Sequence, residues 1–197
     1  PLRMLKDFGA GSTYRERLTV EERIAGLTQF WADARQYFVH FDNAPALDWN
    51  QAYLEFLPRV IAADTTAAYY QVLMQFAPLL RDGHTNIFPP DQLKDRLYAR
   101  PPIMTALVED AVLVVAVHDP ALGGGLRVSD EIVAIDGMPV KQYAEQKVAP
   151  YVSSSTAQDR ALRMYSYQLL TGDAGVPVRL SLRDGTGRQR EETIGRG

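Results

Sequence analysis

Apolar residues recur at helical spacing through the first 80 positions of the chain. Thr19 and Glu22 have the three-residue separation of a capping box, in which each side chain satisfies a backbone N–H at the start of a helix. Behind them, apolar residues follow at steps of three and four along 20–37. This spacing places them on one face and predicts an amphipathic helix.

Two further helices are predicted in the same half. Asp48 with Gln51 repeats the capping pattern before a second apolar run, which contains Pro58. Because proline lacks the amide donor, we expect Pro58 to kink or split this helix. A third run covers about 65–80. Three amphipathic helices joined by short links predict a three-helix bundle.

From Ile103 onward, short apolar runs and turn residues replace the helical spacing. Glu109 and Asp110 separate two such runs and predict a hairpin, and Asp136-Gly137 is a dipeptide typical of a tight turn. The elements predicted here are strands at Ile103–Val108, Ala111–Val117 and 128–135, helices at 141–148 and 157–170, and a closing hairpin of 176–183 with 188–194. In the helix at 157–170, the expected buried face is Ala161, Leu162, Tyr165 and Leu169. The fold class is therefore α+β.

Composition excludes several functions. The formal net charge of -3 argues against a nucleic-acid partner, and no apolar run is long enough to span a membrane. The chain has no cysteine, so thiolate metal sites are excluded, and we expect neither a metal nor a cofactor. The chain starts at Pro1 without a signal segment and stops at Gly197 directly after a strand, so we expect it to be a piece of a longer protein.

The main candidate for chemistry is His84, in the stretch Leu80-Arg81-Asp82-Gly83-His84-Thr85. A neutral imidazole near pH 7 suits a general base. The alternative is a structural histidine favoured by the helix dipole, with Gly83 as the left-handed residue that ends the helix. Asp82 is a possible orienting group, although solvation at the helix end is the simpler interpretation. No Gly-x-Ser-x-Gly or Ser-x-x-Lys occurs to supply a nucleophile.

The stretch from Leu126 to Val140, preceded by Gly125, resembles the strand-and-turn signature of bacterial PDZ domains. Ser129 stands where that signature usually has glycine. A helical domain, Asp-Gly-His-Thr and a PDZ-like domain in this order resemble the tail-specific, or C-terminal processing, serine peptidases, in particular their tricorn-related branch. The implied organisation is an N-terminal extension (1–17), a helical domain (18–88), a linker (89–102) and a PDZ-like small β-barrel domain with helices (103–197).

The resemblance implies that His84 is the general base to a serine in a domain beyond Gly197, so that residues 1–197 alone are inactive. It also implies an exported bacterial enzyme, periplasmic or extracellular. Its partner would be a peptide or an unfolded protein C-terminus, tethered by the PDZ-like domain. The loop expected to capture the terminal carboxylate is Arg100-Pro101-Pro102-Ile103, where two prolines remove two amide donors.

Two other functions stay open. One is a non-catalytic PDZ adaptor that only binds peptides. The other is a carrier of a hydrophobic ligand, because the retinoid-binding proteins of the vertebrate eye resemble the same family. Both would leave His84 as a residue of the helix end.

Overall fold

The computed structural model describes residues 14–119 and 125–197. Residues 1–13 of the predicted N-terminal extension, and Gly123 and Gly124 before the PDZ-like signature, lie outside the described residues. The chain divides into two compact units, Pro1–Gln92 and Leu93–Gly197. The first is helical and the second combines helices with an antiparallel sheet, in agreement with the α+β prediction.

The first unit is built on three helices that share one hydrophobic core. They are α1 (Val20–Tyr37), α2 (Trp49–Ala62) and α3 (Thr66–Phe76), the last continued by a 3-10 turn at Ala77–Leu80. Thr19 and Glu22 form the complete predicted capping box. The cap of α2 is simpler, because Asp48 accepts from the Gln51 amide while the Gln51 side chain donates to Glu55.

Pro58 does not split α2, which runs continuously from Trp49 to Ala62. A proline in a helix interior leaves the carbonyl four residues earlier without its donor. Here that carbonyl belongs to Leu54, and both Leu54 and Pro58 lie on the exposed side of the helix. Water can therefore hydrate the free carbonyl, and the buried side (Trp49, Ala52, Phe56 and Val60) keeps the helix in place.

The second unit begins with the short helix α4 (Lys94–Leu97) and contains a six-stranded antiparallel sheet. Its strands are β1 (Ile103–Val108), β2 (Ala111–Val117), β3 (Glu131–Ile135), β4 (Met138–Pro139), β5 (Val178–Arg183) and β6 (Gln189–Ile194). The order is β1-β2-β3-β5-β6, with β4 paired to β3. Over residues 14–119 and 125–197, β1 pairs only with β2 and β6 pairs only with β5. The strand pairing there does not close the predicted barrel.

The predicted β1–β2 hairpin is present with its expected limits. Glu109 and Asp110 both have positive φ, as a two-residue turn of the primed type requires. The strand predicted at 128–135 begins later, at Glu131, because Ser129 takes φ 76° and interrupts extended backbone. Ser129 therefore adopts the left-handed conformation that the glycine of the PDZ-like signature would adopt readily.

Two helical segments cover the sheet. Helix α5 (Val140–Tyr143) continues through a π-turn at Ala144–Val148 and a 3-10 turn at Ala149–Tyr151, and α6 (Ala157–Leu162) continues through a π-turn at Arg163–Gln168. The buried face predicted for the second segment is partly wrong, since Leu162 is exposed and Met164 is buried. A π-turn adds a residue to the helical turn and so rotates the face that follows.

In the part of the chain that the structure describes, no helix has the length and apolar character to cross a bilayer.

Candidate functional site

The loop that carries His84 starts where α3 and its 3-10 turn end. Arg81 caps this turn in the left-handed conformation, with φ 50°, and its amide donates to the Pro78 carbonyl at 3.0 Å. Gly83 is not among the residues with positive φ. The prediction that Gly83 ends the helix is therefore wrong, because the chain has already reversed two residues earlier.

Both ends of this loop are fixed in the hydrophobic core of the first unit. Leu80 is fully buried before the loop and Ile87 is 4% exposed after it. Between them, the Asn86 side-chain amide donates to the Gly83 carbonyl at 3.1 Å. The loop is thus short, anchored and internally hydrogen-bonded, which limits the positions available to the His84 backbone.

His84 projects from the loop, and its side chain is 96% exposed. Its Nδ1 lies 3.8 Å from Oδ1 of Asp82, whose own side chain is only 15% exposed. The Thr85 hydroxyl donates to Oδ2 of Asp82 at 2.6 Å. The Asp82 carboxylate is therefore fixed by Thr85 and mostly shielded from solvent, and the interpretation of it as a solvated helix-end residue is wrong.

The charge of Asp82 is favoured by its surroundings. Burial raises the pKa of this carboxyl, but hydrogen bonds from the Thr85 hydroxyl and the His84 amide, with the nearby His84 ring, bring the pKa below its ordinary value. An ionised carboxylate on the Nδ1 side favours the tautomer that carries its proton on that nitrogen. Nε2 is then the nitrogen left to exchange a proton with another group.

The second unit offers a different kind of site, the free edge of β1. The π-turn segment that follows α6 packs on this strand, and the Thr105 hydroxyl donates to the Tyr165 carbonyl. Exposed apolar side chains lie on β1, at the end of α6 and on the π-turn segment: Met104, Leu107, Val108, Leu162 and Tyr167.

The loop before β1 is the one expected to capture a carboxylate. Pro101 and Pro102 have no N–H, and the Ile103 amide donates to the Pro101 carbonyl at 2.8 Å. The Arg100 guanidinium lies at the side of this loop, where Nη1 is 3.5 Å from the Tyr167 carbonyl. None of the three positions 101–103 thus presents a free backbone donor.

The remaining histidines have no comparable setting. His40 and His118 are exposed, as predicted. Over 14–119 and 125–197, no group of three or more His, Asp or Glu residues is arranged to hold a metal ion.

Sequence reasoning missed Thr85 as the residue that fixes Asp82. Its signal was the Asp-x-x-Thr spacing, which allows a hydroxyl to bond back to the carboxylate across a turn. The free edge of β1 was missed as well. An apolar strand without a charged residue is also typical of a central strand, so only the strand order shows that β1 lies at an unprotected edge.

Comparison with known proteins extends this description. The chain has the fold of an α+β protein with a helical unit followed by a sheet unit, and residues 107–170 match the family model described as "Bacteroidetes, Peptidase, S41 family, N-terminal domain". This match over residues 107–170 supports the predicted tail-specific peptidase family. Among curated proteins, nothing matches.

Solved structures share the fold. Mature CPAF aligns at a TM-score of 0.67 with 16% identity, and mature CPAF complexed with lactacystin aligns at 0.70 with 16% identity. Each alignment covers 90% of this chain, which spans 34% and 35% of the respective CPAF chains. The PDZ domain of a carboxy-terminal protease from Vibrio cholerae, in complex with peptide, covers 50% of this chain and 93% of its own. Its identity is 16% and its TM-score of 0.33 is too low to bear on the fold.

Proposed function

We propose that this chain is the substrate-tethering N-terminal part of a serine peptidase, with His84 as its general base. The S41 match supports the peptidase family, and the setting of His84 supports the role. The peptidase acts on peptides or protein C-termini and is exported, as is expected for this family. The tricorn-related branch, which uses a histidine, is part of the same proposal.

The observation that carries the proposal is the pair of His84 and Asp82. A nearly fully exposed imidazole lies on a fixed loop, and a mostly buried carboxylate sits 3.8 Å from its Nδ1. This distance exceeds a hydrogen bond, and catalytic contacts commonly shorten when the substrate complex forms. A general base must reach the hydroxyl of the nucleophile, so an exposed imidazole suits a nucleophile that belongs to another domain.

The proposed chemistry follows from these positions. Nε2 of His84 takes the proton of a serine hydroxyl as the serine oxygen bonds to the peptide carbonyl carbon. It then gives that proton to the amine as the carbon–nitrogen bond breaks. Water releases the acyl group by the same sequence, and Asp82 stabilises the imidazolium in both halves.

Tethering is assigned to the second unit, which we interpret as a PDZ-like domain. Its support is the signature from Gly125 to Val140, with Gly125 and Ser129 at positive φ and the Asp136-Gly137 turn in place. An extended peptide would add to the free edge of β1 as an extra strand. The π-turn segment after α6 would form the other wall of that groove.

The test uses the protein encoded by the complete reading frame that contains these 197 residues. His84→Ala is compared with His118→Ala, which removes another exposed imidazole. Loss of a general base should lower kcat/KM on a fluorogenic peptide by about 10²- to 10⁴-fold. It should also slow labelling by a fluorophosphonate, which reports serine reactivity directly, while the control stays near the parent.

Normal turnover and labelling in a folded His84→Ala protein would refute the catalytic role. The second candidate, a peptide-binding adaptor, is favoured by the free β1 edge, which is independent of His84. It predicts that neither protein reacts with the fluorophosphonate and that peptide binding is unaffected by His84→Ala.

A further inference from the structure

The two edges of the sheet differ in charge. β6 carries Arg190, Glu191 and Glu192 within six residues, whereas β1 carries no charged residue between Ile103 and Val108. Charged side chains on an edge strand oppose pairing with another chain. The sheet is therefore protected against strand addition at β6 and left open to it at β1.

Two contacts show which backbone groups of β1 face β2. At the start, the Pro102 carbonyl accepts from the His118 amide at 2.8 Å. At the end, a two-residue turn joins Val108 to Ala111, so this pair closes the hairpin. The backbone N–H and C=O groups of successive residues point to opposite sides of a strand. Both contacts therefore indicate that the even-numbered residues of β1 direct these groups towards β2. The residues whose backbone groups face the open edge are Ile103, Thr105 and Leu107.

The start and the middle of the open β1 edge thus differ in the backbone hydrogen-bond donors that they offer. Thr105 and Leu107 direct N–H and C=O groups outward in the middle of the strand. At its start, the Ile103 amide is already used by the Pro101 carbonyl, and the two prolines before it have no amide. A terminal carboxylate needs several backbone donors at that end, which this loop does not offer. An uninterrupted chain needs no such donors there.

We propose that the β1 edge binds an internal, extended, apolar segment of a polypeptide and does not select a free C-terminus. The inference rests on the tethering function proposed above and specifies its ligand. The strand supplies hydrogen bonds through Thr105 and Leu107, and exposed Met104 and Leu107 provide apolar contact. The bound segment continues past Pro101 and Pro102 instead of ending there.

The experiment measures binding to residues 1–197 by fluorescence anisotropy. The probe is a pool of fluorescein-labelled decapeptides with Val, Leu, Ala or Phe at alternate positions, made once with a C-terminal carboxylate and once with a C-terminal carboxamide. We expect the dissociation constants of the two pools to agree within about twofold. Leu107→Pro, which removes one outward N–H on an edge strand, should weaken both at least tenfold.

Leu107→Val is the matched control, because it changes the side chain and keeps the amide. It should bind both pools within about threefold of the parent, with circular dichroism confirming that both variants fold. Tighter binding of the carboxylate pool by tenfold or more would overturn the inference and leave tethering intact. Arg100→Gln would then show whether that guanidinium replaces the missing amides. If neither pool binds, the tethering proposal fails and the inference with it.

Discussion

Gly26, in the middle of α1, lies directly against Tyr69 of α3. A Cβ atom added at Gly26 would be 2.0 Å from the Tyr69 hydroxyl oxygen and 3.3 Å from Cζ of the ring. Tyr69 is only 5% exposed, and burial raises the pKa of its phenol well above the usual range. Its ring also packs edge-on against Tyr70, at 5.5 Å between centroids. The ring therefore has little freedom to move away.

Two opposite effects determine how Gly26→Ala changes the free energy of unfolding. Replacing glycine by alanine inside a helix ordinarily stabilises it by about 1 kcal/mol. Overpacking a close-packed core costs about 1–3 kcal/mol, and a 2.0 Å approach lies at the upper end of that range. We expect a net loss of about 1–2 kcal/mol in the free energy of unfolding.

Urea unfolding of four proteins measures this coupling: the parent, Gly26→Ala, Tyr69→Phe and the double variant. Removing the hydroxyl leaves Cζ as the nearest atom, at 3.3 Å, so the same alanine should then be neutral or stabilising. The interaction energy of the cycle should be at least about 1 kcal/mol. If Gly26→Ala stabilises the parent by about 1 kcal/mol, the helix effect acts alone and the close approach of Tyr69 is refuted.

Two further predictions concern charged side chains. Arg190→Met should destabilise the chain by about 2–4 kcal/mol, since it leaves the carboxylate of Asp130, 3% exposed, without its charge partner. Arg183→Met, which removes a more exposed bidentate pair, should cost at most about 1 kcal/mol, and equal losses in thermal unfolding would contradict the argument. Because the pKa of Asp82 is lowered on folding, its charge stabilises the fold above the unfolded pKa of 3.8, and this contribution is lost as the pH falls through the folded value. The stability difference between the parent and Asp82→Asn, from urea midpoints, should therefore be largest near neutral pH and shrink towards about pH 3; a constant difference would argue against it.

Local chemistry explains which parts of the fold were predictable. The capping box of Thr19 and Glu22 and the limits of α1 depend on residues within one helical turn. The β1–β2 hairpin and the Asp136-Gly137 turn likewise depend on a few neighbouring residues. His84 could be singled out in the same way, from its place after an apolar helix.

Other features depend on contacts between distant residues. The continuity of α2 through Pro58 follows from which side of the helix is exposed, which its sequence does not specify. Met164 and Tyr165 lie in a π-turn and pack in the sheet core, whereas Leu162, the last residue before that turn, is exposed. Local propensity is a weak guide wherever burial can offset its cost.

The helical and strand halves, the peptidase resemblance and the histidine could be predicted from the sequence, because periodicity, caps and turns are encoded within short stretches. Three features became visible only in the folded chain: Thr85 fixes Asp82, Arg81 and not Gly83 reverses the chain, and β1 is an open edge while β6 is charged. Strand order and burial arise from pairing residues far apart in the chain, such as β3 with β5. A position acquires its partner and its exposure only when those pairings form.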